Sequence, residues 1–142
     1  MTPESGQLRV SAEELDYDGD LFYTCKGEAF TGVAYEEVPG KWLSEVSYRD
    51  GLQEGVGRDW YPSGALKSES WYRENALHGF SREYNENQVK VLEEVHEYGI
   101  LIRRIRWDDA GRQTETWMLD PDGPGFALLQ RYRAQKRWPE VT

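Results

Sequence analysis

Tyr48-Arg49-Asp50-Gly51-Leu52-Gln53-Glu54-Gly55 returns 24 residues later as Tyr72-Arg73-Glu74-Asn75-Ala76-Leu77-His78-Gly79. The same offset links Glu45, Glu69 and Glu93, and likewise Arg58, Arg82 and Arg106, and Tyr48, Tyr72 and His96. Gly51, Asn75 and Gly99 recur at that spacing. Asn is a sound replacement there, because it also tolerates the left-handed backbone of a tight turn. Trp60-Tyr61-Pro62-Ser63-Gly64 recurs as Tyr84-Asn85-Glu86-Asn87-Gln88 and, more loosely, as Trp107-Asp108-Asp109-Ala110-Gly111. A divergent earlier copy begins near Phe30-Thr31-Gly32-Val33-Ala34-Tyr35. Self-similarity at a fixed period marks a repeat architecture, in which each unit buries its apolar face against its neighbours.

Within each unit the pattern reads strand, turn, strand. Trp42–Arg49 and Leu66–Arg73 are short, aromatic-rich segments bounded by turn formers. Asp50-Gly51 and Glu74-Asn75 sit where a hairpin turn needs positive φ, and Pro62-Ser63-Gly64 suits a type I or II turn. Leu15-Asp16-Tyr17 and Leu21-Phe22-Tyr23 flank Asp18-Gly19, a further hairpin signal. After Pro121-Asp122-Gly123-Pro124-Gly125, the stretch Phe126–Trp138 lacks turn formers and spaces Phe126, Leu129 and Tyr132 as a helix does. The expectation is a mainly β fold, antiparallel hairpin repeats in an elongated, curved sheet, with a short C-terminal α-helix covering an edge or a face. About ten strands would run from Leu8 to Trp117. Residues 1–142 are read as a single domain, with an N-terminal hairpin cap over 8–28, hairpin repeats over 29–119, and a Pro/Gly linker and helix over 120–142.

Tyr-x-x-Gly-x-x-x-Gly, then Trp60-Tyr61-Pro62-Ser63-Gly64-Ala65-Leu66 and Glu69-x-x-Tyr72, resembles the MORN-like repeat variant of the YwqK family antitoxins. The resemblance spans roughly residues 21–117, with Phe30-Thr31-Gly32 opening the first unit. The third unit departs by placing Gln88 at the turn glycine and His96 at the strand tyrosine, and the fourth keeps only Trp107 and Gly111. What the resemblance implies is a bacterial protein of antiparallel hairpins that acts by binding.

Composition narrows the function classes. Only 38% of the 142 residues are apolar, below the usual ~45–50%, so six Trp, nine Tyr and four Phe must supply much of the buried surface. No stretch approaches the ~20 apolar residues of a membrane span. Met1-Thr2-Pro3-Glu4-Ser5-Gly6 has neither a basic region nor an apolar stretch, and Cys25 is the single cysteine. A cytoplasmic location is therefore expected. Net charge is −9, and it is unevenly spread. Residues 1–102 hold nine basic and twenty acidic side chains, whereas residues 103–142 hold eight and six. Such a body repels phosphate backbones and attracts a basic protein, so direct nucleic-acid binding is not expected.

The usual catalytic constellations are missing from the pattern. His78 and His96 stand 18 residues apart with no metal-ligand spacing, and neither a cofactor nor a metal is expected. Cys25 beside Lys26 has no partnered base. The pairs Glu36-Glu37, Glu93-Glu94 and Asp108-Asp109 cannot converge on one bond, because neighbouring strand residues point to opposite faces. Gly55-Val56-Gly57 lacks the helix and lysine of a phosphate loop. Arg131, Arg133, Lys136 and Arg137 read as a solvated helix face or a partner for the acidic body. Glu45/Arg58, Glu69/Arg82 and Glu93/Arg106 straddle their turns, so each pair is expected to be directly opposed in a structural ladder of ion pairs. Aromatics beside acids make the better interface residues: Asp59, Trp60, Glu83, Tyr84, Glu86 and Asp108 are the candidate partner-binding set.

These readings favour a non-catalytic antitoxin or immunity protein that neutralises a basic toxin or effector protein by direct binding. A scaffold or interaction module at a membrane surface or in a protein assembly is the alternative, with only the basic tail suited to anionic lipid.

Overall fold

The computed structural model describes residues 8–141. Its strands are β1 (Leu8–Ser11), β2 (Leu15–Tyr17), β3 (Tyr23–Cys25), β4 (Glu28–Ala29), β5 (Gly32–Val38), β6 (Trp42–Arg49), β7 (Leu52–Trp60), β8 (Leu66–Arg73), β9 (Ala76–Tyr84), β10 (Lys90–Glu97), β11 (Ile100–Trp107) and β12 (Gln113–Met118). Helix α1 follows at Pro124–Lys136. Nine strands make one open sheet in the order β1-β5-β6-β7-β8-β9-β10-β11-β12, and β2-β3-β4 make a second, small sheet. At ~4.8 Å per strand, the large sheet is roughly 38 Å across. The β-rich fold, the hairpin repeats and the single C-terminal helix match the expectation. One strand corrects it. β1 pairs parallel with β5, so the sheet is mixed rather than purely antiparallel. Parallel neighbours need a crossover of a dozen or more residues, and the small sheet supplies one between Ser11 and Gly32.

Three hairpin turns share one end of the sheet, and all three use two successive residues with positive φ. These are Asp50-Gly51 (51° and 86°), Glu74-Asn75 (44° and 71°) and Tyr98-Gly99 (54° and 78°). That is the backbone of the turns that match strand twist. Each turn is tied to the preceding unit: Gly51 N–H donates to the Phe30 carbonyl, Asn75 N–H to Gln53 and Gly99 N–H to Leu77, at 2.8–3.0 Å. Asn75 adds what a glycine could not. Its Oδ1 accepts from Gln53 N–H at 2.8 Å and its Nδ2 donates to the Leu21 carbonyl at 2.9 Å.

The register defines two faces. Glu45 opposes Arg58, Arg58 opposes Glu69, Glu69 opposes Arg82 and Arg82 opposes Glu93, so these charges line one face, hereafter the ladder face. Ala34, Val46, Tyr48 and Tyr72 lie on the other, the tyrosine face. Glu45 and Arg58 are opposed without an ion pair between them, Glu45 meeting Arg9 instead, and the third expected pair is absent altogether. Glu93 opposes Ile105, while Arg106 opposes Leu92 on the tyrosine face. Gly55 (φ +98°) and Gly79 (φ +136°) sit in β-bulges that offset the two earlier hairpins by two residues. Arg103 stands 24 residues after Gly79, and there the offset is only one residue. A side chain disfavours the glycine conformation, the bulge shrinks, and the slip turns Arg106 over.

The faces are covered at opposite ends. On the tyrosine face, Phe30, Ala34 and Tyr48 form a buried cluster with Val10, Leu15, Tyr23 and Cys25 packed against it. This joins the small sheet to β5 and β6. On the ladder face, α1 reaches the β10–β11 turn: the Arg133 guanidinium donates to both oxygens of the fully buried Glu97 at 2.9 and 2.8 Å. Tyr98 stacks on Tyr132 and Trp138, with centroids 5.7 and 4.8 Å away. The helix begins and ends two residues earlier than the sequence suggested. Pro124 takes its first turn, where a missing N–H loses nothing, and Arg137 closes it in a left-handed conformation.

Candidate partner-binding surfaces

The distal turns, opposite the Gly51 end, carry an aromatic strip on the ladder face. Trp60 opposes Leu43 there, and the open groove of about 350 Å³ that they line also reaches Tyr61, Pro62 and, from tyrosine-face register positions, Val38 and Trp42. Tyr61 also borders a second hollow of about 260 Å³ with Tyr84 and Trp107, and its hydroxyl donates to the Tyr84 carbonyl at 2.7 Å. Lys90 lies over the Trp107 ring at 4.9 Å. The local fold explains this strip. Trp60 and Tyr84 end β7 and β9 at the repeat offset, and the slip at Arg103 brings Trp107, not Asp108, into the equivalent place.

Asp59 lies on the tyrosine face, where its carboxylate accepts from Ser44 Oγ at 2.5 Å and Ser68 Oγ at 2.7 Å. Asp108 closes its own turn, accepting from Ala110 and Arg112 N–H at 2.9 Å, and pairs with the Arg112 side chain. Trp60 and Tyr84 border the two hollows. Glu83 is exposed on β9 and Glu86 is exposed in the β9–β10 turn. The structure thus places Trp60 on one hollow and Tyr84 on the next, with Tyr61 shared between them, and leaves Asp59 and Asp108 with internal partners. Tyr61 and Trp107 join the strip without having been singled out. Tyr61 follows Trp60 directly and could have been found by that adjacency.

Charges in the middle of the ladder face are mutually paired. Arg9 meets Glu45 at 2.9 Å, Arg58 meets Glu69 at 3.4 Å, and Arg82 bridges Glu69 and Glu93 at 3.8 and 2.9 Å. Lys90 and Arg103 add contacts to Glu93 at 2.8 and 3.6 Å. Burial pushes the Glu93 carboxyl up, but hydrogen bonds from Lys90 and Arg82 with their charges hold it below its ordinary range. The ladder is therefore a neutralised frame between aromatic borders.

The histidines have structural places. His78 accepts from Tyr98 N–H at 3.1 Å through Nδ1, and its Nε2 lies 2.6 Å from the Pro139 carbonyl, which together require the neutral Nε2–H tautomer. His96 is buried on the tyrosine face, and burial lowers its pKa. Among the described residues, no group of three or more His, Cys, Asp or Glu could hold a metal ion, and no helix is long and apolar enough to cross a membrane.

No family model matches the chain. Among curated proteins it is similar to "Immunity protein YwqK" of Bacillus subtilis (strain 168), with 38% identity over 125 residues. That match spans 87% of this chain and 79% of the relative, and on it the chain belongs to the YwqK family.

Proposed function

We propose that this chain is an immunity protein that neutralises a cognate toxin in the cytoplasm by binding it, without chemistry of its own, and that the toxin is basic. The identity to a protein named for immunity carries the reading. The acidic balance supports the charge of the partner, since an excess of carboxylates speeds encounter with a basic protein. An open sheet with paired charges and rigid aromatics also suits recognition by shape. Co-expression with each neighbouring gene product that is toxic alone tests it. Growth should be rescued with one of them, and the two chains should co-purify. Association should slow as salt is raised, with dissociation changing less. Absence of rescue together with absence of co-purification would overturn the immunity role.

A further inference from the structure

Seven large apolar side chains are strongly exposed among the described residues, and three of them fall within six positions: Tyr17 (51%), Leu21 (61%) and Phe22 (40%). They crown the β2–β3 hairpin of the small sheet, away from the distal aromatic strip. Their supports are rigid. The Tyr17 ring packs on Tyr23 at 5.0 Å, and Tyr23 packs on the buried Tyr48 at 5.0 Å. Phe22 lies against Gly51, leaving about 3.1 Å to where a Cβ would stand. Asp18 Oδ1 accepts from Asp20 and Phe22 N–H at 2.8 and 3.1 Å, and the Leu21 carbonyl accepts from Asn75.

Leu21 is the odd member. It holds φ +72°, a conformation that glycine or asparagine adopts far more readily than a branched apolar residue. The fold keeps a strained leucine and turns it outward, an arrangement that stability alone opposes. Around this apolar crown, residues 13–28 hold six carboxylates, Glu13, Glu14, Asp16, Asp18, Asp20 and Glu28, against the single cation Lys26. None of the six has an ion-pair partner among the described residues, in contrast to the compensated ladder face.

We infer that the Tyr17–Phe22 crown is the toxin-docking surface, and that it takes a protein face with an apolar hollow ringed by lysine or arginine. This rests on the immunity reading and specifies its contact. A preorganised apolar anchor within a charged rim is the arrangement that gives both residence time and fast encounter. The opposite arm of the sheet, with its paired charges, offers no such field.

The probe is the toxic neighbour that wild-type chain rescues, purified in an inactive form. Leu21→Gly relieves the backbone while deleting the anchor, so the melting temperature should hold or rise while affinity falls at least tenfold. Asp16→Lys/Asp20→Lys should lower the association rate at least tenfold at low salt and flatten its salt dependence. Trp117→Ala/Met118→Ala, exposed apolar residues on β12 at the far edge of the large sheet, should leave binding within threefold. Unchanged affinity in Leu21→Gly and in the double lysine variant, or loss of binding only in the β12 variant, would overturn the docking surface while leaving the immunity role standing. Failure of the wild-type chain to rescue or bind any toxic neighbour would remove both.

Discussion

The β6–β9 hairpins and the β10–β12 region descend from the same repeat pattern but solve its geometry differently. In the first, Gly55 and Gly79 adopt positive φ, the bulges take up two residues, and the Tyr72 ring lies over Gly57, 3.4 Å from where its Cβ would be. In the second, Arg103 and His96 occupy the corresponding places, and Ser81 of β9 stands where Gly57 does. The bulge shortens, Arg106 changes faces to meet Glu115 at 3.6 Å, and Arg103 takes over contact with Glu93. Position 97 diverges too. Arg49 and Arg73 precede it at the repeat offset, yet residue 97 is a glutamate buried against Arg133 of α1. Regular units hold together through glycine and tyrosine, whereas the divergent unit depends on a helix brought in by a reversed charge.

Breaking that helix contact should have the largest effect. Glu97→Gln leaves Arg133 with only its longer 3.8 Å contact to the exposed Glu140, a loss of about 3 kcal/mol for a buried pair. It should appear in a denaturation midpoint with an unchanged slope. Burial raises the Glu97 pKa, but the Arg133 hydrogen bonds, the Val141 N–H and nearby positive charge outweigh it, leaving the group lowered from 4.5. The stabilisation is therefore present above the unfolded pKa and lost as pH falls from about 4.5 through the folded value. Wild type should lose stability over that range more steeply than Glu97→Gln. Equal slopes would separate α1 docking from this carboxylate.

A smaller effect sharpens the contrast between the bulges. At Gly79 an added Cβ would stand 2.9 Å from the Trp71 Cβ, on a backbone with φ +136°. Gly79→Ala should destabilise by about 2 kcal/mol through strain and overlap. Arg103→Ala, at the matching place in the divergent hairpin, should lose less than about 1 kcal/mol, because Arg103 needs no left-handed backbone and its contact with Glu93 is 3.6 Å long. Thermal unfolding of the two variants checks the order. Similar losses would mean that the bulge is not what distinguishes the regions.

Much of the fold was legible because turns and strand ends are local. Asp50-Gly51, Glu74-Asn75 and the Asp18-Gly19 hairpin declared themselves by residue type, and β6 and β8 fall at Trp42–Arg49 and Leu66–Arg73 as read. What escaped depends on counting across a bulge. Nothing within Glu93 or Arg106 reveals that Arg103 removes one residue of offset, although its place at the repeat position of Gly55 and Gly79 was visible. The parallel pairing of β1 depends on a crossover, which pattern cannot orient. Asp59 and Asp108 looked available beside aromatics because their serine and turn N–H partners come from folding. The exposed crown at Tyr17, Leu21 and Phe22 was hidden for a related reason: alternating apolar residues in a hairpin read as core until the face they occupy is known.

The smallest expected effect concerns the paired change from Gly57 and Tyr72 to Ser81 and His96. Ser81 Oγ and His96 Nδ1 are buried without hydrogen-bond partners, so this pair stabilises less than a tyrosine ring over glycine. His96→Tyr alone should crowd against Ser81. With Ser81→Gly it should restore the earlier arrangement, giving a favourable coupling of about 1 kcal/mol in a double-mutant cycle. A pH signature accompanies it. Burial lowers the His96 pKa from 6.5, Glu94 opposes that and Arg104 adds to it, with the net direction downward. The unfolded chain therefore binds the proton first, so stability is full above about pH 6.5 and falls as pH drops toward the folded value. The double variant should flatten that slope between pH 7 and 5.5 relative to wild type. A slope that survives the substitution would place the titration elsewhere, and an absent coupling would show that the two positions are not packed as Tyr72 and Gly57 are.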